Sequence, residues 1–270
     1  MFDDMKQDRI LITGASSGIG EALARALARP GTTLILTGRD EPRLLASAGV
    51  CRARGAAVEA HLLDVTDMDG MRRLVTASAP LDLVFANAGV AYGVTPDGAE
   101  TASQVRGTFA VNIDGVMNTV LPALETMFAQ GPGPDGVRGR IAVTASIAAL
   151  IAYPNTPSYC ASKAAVDVWT VATAANAARR GVLLTSVCPG FVRTPMTARN
   201  DFPMPGLLEA DHAVRLILAG VRRGRRRVVF PRSIGGGARF VGMLPARIRE
   251  EILRRQPSKA PSPMLGEPDA

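Results

Sequence analysis

The sequence predicts an α/β fold, a doubly wound parallel sheet of about seven strands with helices on both faces, built as a single domain. Three observations carry this. Short aliphatic runs alternate with helix-length segments along most of the chain, the order of strand and helix that a parallel sheet requires. The runs are nearly continuous in apolar residues, as expected of strands covered on both sides. The first of them passes through three closely spaced glycines into an amphipathic segment, a strand-to-helix turn of the kind that can cradle a phosphate.

Taken in order, the first strand is RILITG (9–14), followed by a helix over 18–29. TTLILTG (32–38) leads into 41–54, AVEAHLLD (57–64) into 67–78, and LDLVFANAG (81–89) into the long segment 100–129. The Gly/Pro cluster AQGPGPDGVRG (129–139) turns the chain into GRIAVTAS (139–146), which precedes a helix over 157–180. GVLLTSVCPG (181–190), a helix over 210–221 and RRVVFP (226–231) complete the sheet. No internal repeat is present. The domain therefore spans 1–231, with a long connection at about 190–210. Residues 232–256 form a basic extension, with a Gly-rich hinge at 235–237 and a helix after Pro245, a residue suited to the first helical position. PSKAPSPMLGEPDA (257–270) has the composition of a disordered tail.

Composition narrows the class. At 270 residues and 47% hydrophobic, the chain can close one large core, and its 4% of aromatics favours tightly packed aliphatic layers. The start, MFDDMKQDRILITG, lacks a basic segment followed by an apolar one, and no run approaches the roughly 18 apolar residues of a membrane span. A cytoplasmic protein is expected. Cys51, Cys160 and Cys188 are odd in number and lack metal-ligand spacing, and the only histidines are His61 and His212, so neither a disulfide framework nor a zinc site is expected. The net charge of +7 is uneven: twelve basic residues face four acidic ones from residue 220 onward, leaving the first 219 residues at −1.

In ILITGASSGIGEALARAL the glycines Gly14, Gly18 and Gly20 follow a strand and open a helix, the context in which backbone amides and the helix dipole hold an anion. A nucleotide site is expected there. At the end of the second strand, LILTGRDEP places Gly38 where an acidic residue would grip a ribose 2′-hydroxyl, and Arg39 follows. Glycine leaves room for a 2′-phosphate and the guanidinium offers it a fork of donors, which favours NADP over NAD; a merely solvated Arg39 is the alternative. Asp64 closes the third strand, where it could accept from an adenine amino group or cap the helix beginning near Asp67.

YCASK, residues 159–163, puts a phenol and an ammonium on one helical face, one turn apart. Both groups ordinarily titrate near 10, and a fixed positive charge beside a phenol eases loss of its proton. A partly buried tyrosine with a snorkelling lysine would look the same in this pentapeptide.

These residues belong to an ordered set: TGASSGIG (13–20), DV (64–65), NAG (87–89), Asn112 in VNIDG, Ser146 in TASIA, Tyr159 and Lys163 in YCASK, and PGFVRT (189–194). In that order they resemble the short-chain dehydrogenase/reductase family over about residues 9–231, with one departure: Ala86 stands where many relatives carry a second Asn before NAG. The resemblance implies a Rossmann-like fold, a homodimer or homotetramer, and an oxidoreductase acting on a small-molecule carbonyl or alcohol. It implies a nicotinamide dinucleotide held by Gly14, Ser16, Ser17, Gly18, Ile19, Gly20, Arg39, Asp64, Val65, Asn87, Ala88, Gly89, Pro189, Gly190, Val192 and Thr194, together with Tyr159 and Lys163. Tyr159 would be the general acid or base, Lys163 would lower its pKa and bind the nicotinamide ribose, Ser146 would hydrogen-bond the substrate oxygen, and Asn112 would position a water in a proton relay. Taken singly, Ser146 could be an ordinary strand-end hydroxyl, Asn112 a mid-helix polar residue, and Thr194 a helix cap.

By the same resemblance 190–210 is a mobile lid. Its Phe191, Met196, Phe202, Met204 and Leu207, with Leu150, Ile151 and Tyr153 opposite, point to a hydrophobic substrate, or else to core or subunit contacts. The basic extension could lie on an anionic membrane through Ile248, Ile252 and Leu253 flanked by Arg247, Arg254 and Arg255, or dock on the domain or a partner subunit. Nucleic acid is disfavoured, since only Phe230 and Phe240 accompany the arginines. A reading from another class is a dinucleotide-binding regulatory protein that uses the basic tail to contact nucleic acid or a partner.

Overall fold

A computed structural model of the protein describes residues 8–94 and 98–254; the expected tail at 257–270 lies outside them. Seven strands, β1 (Arg9–Thr13), β2 (Thr33–Gly38), β3 (Ala57–Leu62), β4 (Leu83–Ala86), β5 (Gly139–Thr144), β6 (Val182–Pro189) and β7 (Arg227–Phe230), form one parallel sheet in the order β3-β2-β1-β4-β5-β6-β7. The order reverses between β1 and β4. At that switch point the connections leave the carboxyl ends of the strands in opposite directions and open a crevice.

Alternation along the strands sorts side chains between two cores. Ile10, Ile12, Leu34 and Leu36 meet α1 (Gly18–Leu27), α2 (Glu41–Ala53) and α8 (Ala210–Arg222) on one face through Leu23, Leu44 and Ile217. Leu11, Ile35, Val84 and Ile141 meet α3 (Met68–Ala77), α5 (Gly115–Ala129) and α6 (Pro157–Arg179) on the other through Met71, Val120 and Val166. Ala86, the departure from the family pattern, is buried in this second core. β3 and β7 are the edge strands; β3 is half-exposed, and its Glu59 reaches across the sheet to pair with Arg9 of β1.

Two expectations need correction. The segment 100–129 is not one α-helix: α4 (Ala102–Phe109) passes through a π-helical turn, Ala110–Asp114, into α5. The glycines at 235–237 are not a hinge but lie inside α9 (Arg232–Met243). Packing overrides glycine's weak helix propensity there, because a Cβ at Gly235 would lie 2.3 Å from Val229 Cγ1. The helix expected after Pro245 is α10 (Ala246–Arg254). α9 packs on a 3₁₀ turn, Ile147–Leu150, and Ala238 of α9 and Leu253 of α10 are buried in one cluster with Ile147 and Ile151.

Candidate active site

The β1–α1 turn is possible only with glycine. Gly14 has φ +67°, and a Cβ there would lie 2.9 Å from Ala88 Cα; one on Gly20 would lie 2.1 Å from the Gly14 carbonyl oxygen. The turn is pinned to the loop after β4 by Thr13, whose Oγ1 accepts from the amides of Asn87 (3.0 Å) and Ala88 (3.1 Å) and donates to Phe85 O. Asn87 Nδ2 donates to Thr13 O, and its Oδ1 accepts from Thr144 Oγ1. Ser17, the N-cap residue of α1, makes no side-chain cap, so its hydroxyl does not consume the first-turn amides.

Beyond this turn the end of β2 forms the next wall. Thr37 is fully buried, lines the crevice, and its hydroxyl has no hydrogen-bond partner in the protein. Gly38 packs so closely on Ser16 that a Cβ would sit 3.1 Å from both Ser16 Cβ and Oγ. Arg39 Nη1 pairs with Asp64 Oδ2 at 3.2 Å, while Asp64 also accepts from the amide and hydroxyl of Thr66. Its burial alone would raise the carboxyl's pKa, but these bonds and Arg39 hold it below the usual carboxylate range. Asp64 does not cap α3; Asp67 does, accepting from Gly70 N at 2.9 Å. Asp40 is committed to α2, capping Arg43 N and pairing with Arg43 Nε.

Ser146 follows β5 and caps the 3₁₀ turn by accepting from Ala148 N at 3.1 Å, and it lines the same cavity as Tyr159. Tyr159 and Lys163 stand one turn apart near the start of α6, which Glu100 anchors by accepting from Ser158 N and Oγ. Lys163 Nζ donates to Thr144 O at 2.7 Å and lies 5.8 Å from the Tyr159 ring centroid, over the ring. Burial pushes the phenol up, against the hydrogen bond from Ser146, and pushes Lys163 down to about 8. The sequence led us to expect a phenol lowered by the ammonium; in the protein alone, desolvation is the larger effect.

Asn112, in the π turn, is fully buried. Its Oδ1 accepts from Val90 N, and its Nδ2 donates to Val90 O and Ser162 Oγ. It is not merely bonded within its own helix but ties three elements together behind Lys163. Thr194 caps α7 (Pro195–Ala198) in a reciprocal arrangement with Thr197, and packs over Gly18.

These elements enclose a cavity of about 760 Å³. Every site residue expected from the sequence lines it except Gly20, Asp64 and Asn112: Gly20 supports the turn, Asp64 holds Arg39, and Asn112 backs the far wall. Sequence reasoning did not single out Thr37, Arg43, Thr144 or Thr197, which also line it. No local signal marked them: Arg39 precedes the α2 cap Asp40, so helical spacing does not relate it to Arg43. Of the apolar residues expected at the substrate, Met196 lines the cavity, Phe191 stacks edge-on against Phe202 with centroids 6.0 Å apart, and Leu150, Ile151 and Tyr153 join the cluster beneath α9 and α10.

A Gly-lined crevice at the switch point, with a serine, a tyrosine and a lysine at its far end, defines a dinucleotide-dependent class of enzyme. The family model for short chain dehydrogenase matches residues 8–202. An uncharacterised oxidoreductase of Myxococcus xanthus (strain DK1622) is 35% identical over 256 residues, which cover 93% of this chain and 98% of that one. A short-chain dehydrogenase from Sphingobium yanoikuyae in complex with NADPH is similar with a TM-score of 0.76 at 26% identity, covering 93% of this chain and 96% of that one. A short chain dehydrogenase/reductase from Burkholderia phymatum in complex with NAD gives 0.78 at 26% identity, covering 99% and 100%. The chain belongs to the short-chain dehydrogenase family and is an oxidoreductase.

Proposed function

We propose that this oxidoreductase interconverts a carbonyl and an alcohol with NADP as its cofactor, on an apolar substrate. The observation that carries the reading is the convergence of Ser146, Tyr159 and Lys163 on one cavity, with Lys163 Nζ over the Tyr159 ring. The chain fits a dinucleotide: the crevice is lined by the tight glycine turn at Gly14 and Gly18 and by Gly38, Asn87, Ala88 and Gly89, and Gly14 and Gly20 leave no room for a Cβ in that turn. The NADPH complex of the Sphingobium relative and the NAD complex of the Burkholderia relative both support a nicotinamide dinucleotide; the choice of NADP rests on Gly38 and Arg39. Residues 14–20 would hold the diphosphate, Arg39 the 2′-phosphate, and Lys163 the nicotinamide ribose. When bound, the cofactor supplies or accepts the hydride.

The chain's own residues handle the proton. A phenol raised by burial is fully protonated near neutral pH, the state required of a general acid that protonates the carbonyl oxygen during reduction. Ser146 donates to the same oxygen as charge develops on it. Lys163, titrating at about 8, is mostly charged at pH 7 and places that charge over the Tyr159 ring, favouring the phenolate once the proton has left. Asn112 holds the π turn beside Lys163, where it would order the route that returns the proton from solvent. Met196 on the lid would meet an apolar substrate. The reading includes a cytoplasmic enzyme working as a homodimer or homotetramer; among the described residues no helix is long and apolar enough to cross a membrane. A purely regulatory dinucleotide-binding protein would have no use for Ser146, Tyr159 and Lys163 at one cavity.

The test is oxidation of NADPH, with NADH in parallel, across short, aromatic, polycyclic and long-chain carbonyls, with cofactor binding titrated separately. Turnover on one apolar class with NADPH is expected. Cofactor binding with no turnover on any of them would reject the reading.

A further inference from the structure

We propose that the outer face of α9 and α10 is a docking surface for an anionic lipid bilayer, beside the mouth of the active site. Large apolar side chains concentrate there in the last described stretch of chain: Phe240 is 62% exposed, Met243 78%, Ile248 52% and Ile252 37%. The inner faces of the same two helices are spent on one cluster, where Ala238 and Leu253 pack against Ile147 and Ile151. The exposed side chains therefore lie on the faces of α9 and α10 turned away from that cluster. Arg232, Arg239 and Arg247 are exposed among them.

The mixture of chemistry selects the occupant. An aromatic and several aliphatic side chains interleaved with arginines match a bilayer interface, where apolar groups enter the acyl boundary and cations meet headgroups. A nucleic acid would use the arginines but gain little from Met243, Ile248 and Ile252. Position gives the surface a use. A Cβ at Gly206, on the connection after α7, would lie 2.8 Å from Ile234 Cδ1 of α9, and one at Gly242 would lie 3.2 Å from the Leu150 carbonyl oxygen. Thus α9 runs from the lid to the 3₁₀ turn that Ser146 caps, and a bilayer on its outer face lies next to the substrate entrance. This use rests on the apolar-substrate reading; the binding itself does not.

The experiment is flotation of the full-length chain with vesicles of phosphatidylcholine containing about one-third phosphatidylglycerol, and with pure phosphatidylcholine, in the absence of substrate. We expect binding to the anionic vesicles, at least tenfold weaker at about 0.5 M salt, where the Debye length falls to roughly half its physiological value. Phe240→Asp with Met243→Asp should weaken it about tenfold or more, and Arg239→Glu with Arg247→Glu should weaken it by at least about fivefold per charge. Cofactor binding, measured on each variant, checks that the fold is kept. No vesicle binding, equal binding to both compositions, or binding indifferent to both variants overturns the proposal. So does a mass by light scattering that falls in the Phe240/Met243 variant, which would make the face a contact between copies of the chain. Affinity for a DNA duplex lost only with the arginine variant, alongside unchanged vesicle binding, overturns it as well.

Discussion

The Arg227 guanidinium on β7 grips the buried Asp167 carboxylate on α6 through two parallel bonds, Nε to Oδ1 at 2.8 Å and Nη2 to Oδ2 at 2.7 Å. Asp167 lies one turn beyond Lys163 and two beyond Tyr159, so the helix that presents both groups is fastened to the sheet by a charged pair. Ser186 Oγ donates to the same carboxylate at 2.6 Å, and Asp167 helps burial push the neighbouring Cys188 thiol up to about 12, leaving it inert. Removing one member of such a pair strands a buried charge. Arg227→Met is expected to cost about 3–5 kcal/mol, read as a lower midpoint in urea unfolding. Arg227→Met combined with Asp167→Leu should recover part of that loss, because two apolar groups leave no charge uncompensated. Equal destabilisation in the single and double variants would mean that the pair acts only through packing.

Tyr159→Phe keeps the ring over which Lys163 sits and removes only the hydroxyl. Turnover should fall by about 10²–10⁴ while cofactor affinity changes little. Ser146→Ala should cost about 10²–10³ in kcat, and it should also raise the Tyr159 pKa further, since the bond from Ser146 is what lowers it. A Ser146→Ala enzyme with unchanged kcat would remove Ser146 from the chemistry.

Lys163 offers a direct titration, because the chain has only three lysines, Lys6, Lys163 and Lys259. With ¹³C-labelled lysine, one side-chain resonance should titrate at about 8 and disappear in Lys163→Arg. The sign for stability follows from the depressed value. Between about 8 and the ordinary lysine value the unfolded chain binds more protons than the folded one, so this group makes stability rise with pH across that window. Three resonances all moving near the ordinary value would show that Lys163 is solvated.

How much of this was legible in the sequence depends on whether the signal is local. All seven strands are found near their expected places; the buried inner ones write themselves as continuous apolar runs, and the half-exposed edge strand β3 is marked by its place between two helical segments. The glycine turn was legible because sterics leave little choice at Gly14 and Gly20. The π turn at Asn112 was not, since its cause is tertiary: it turns Asn112 to Val90 and Ser162, which are 22 and 50 residues distant in sequence. The glycines inside α9 misled for the same reason, as the contact with Val229 that requires Gly235 comes from another element. Thr37 carried no mark at all. A threonine in a strand is ordinary until the structure leaves its hydroxyl buried and unpartnered.

Arg39 decides the last prediction. Its guanidinium is partly exposed and held by Asp64 at 3.2 Å, leaving donors free to meet a phosphate at the mouth of the cavity that it lines. Charge-assisted bonds of this kind contribute about 1.5–3 kcal/mol, so Arg39→Leu should weaken NADPH binding about 10–100-fold and leave NADH nearly unchanged. Gly38→Asp should go further. Its carboxylate would repel the 2′-phosphate and accept from a free ribose 2′-hydroxyl, so NADH binding should improve as NADPH binding falls. The new Cβ must be accommodated 3.1 Å from Ser16, a fit tighter than ordinary, and some loss of stability is expected alongside the switch. Arg43 lines the same wall from the first turn of α2 and pairs with Asp40 through Nε; because Arg39 directly follows Gly38 at the end of β2, Arg43→Leu is expected to cost less NADPH affinity than Arg39→Leu. The reverse ranking, by direct titration of both cofactors, would transfer the phosphate contact from Arg39 to Arg43. Equal losses for NADPH and NADH in Arg39→Leu would mean that Arg39 braces Asp64 and does not read the phosphate.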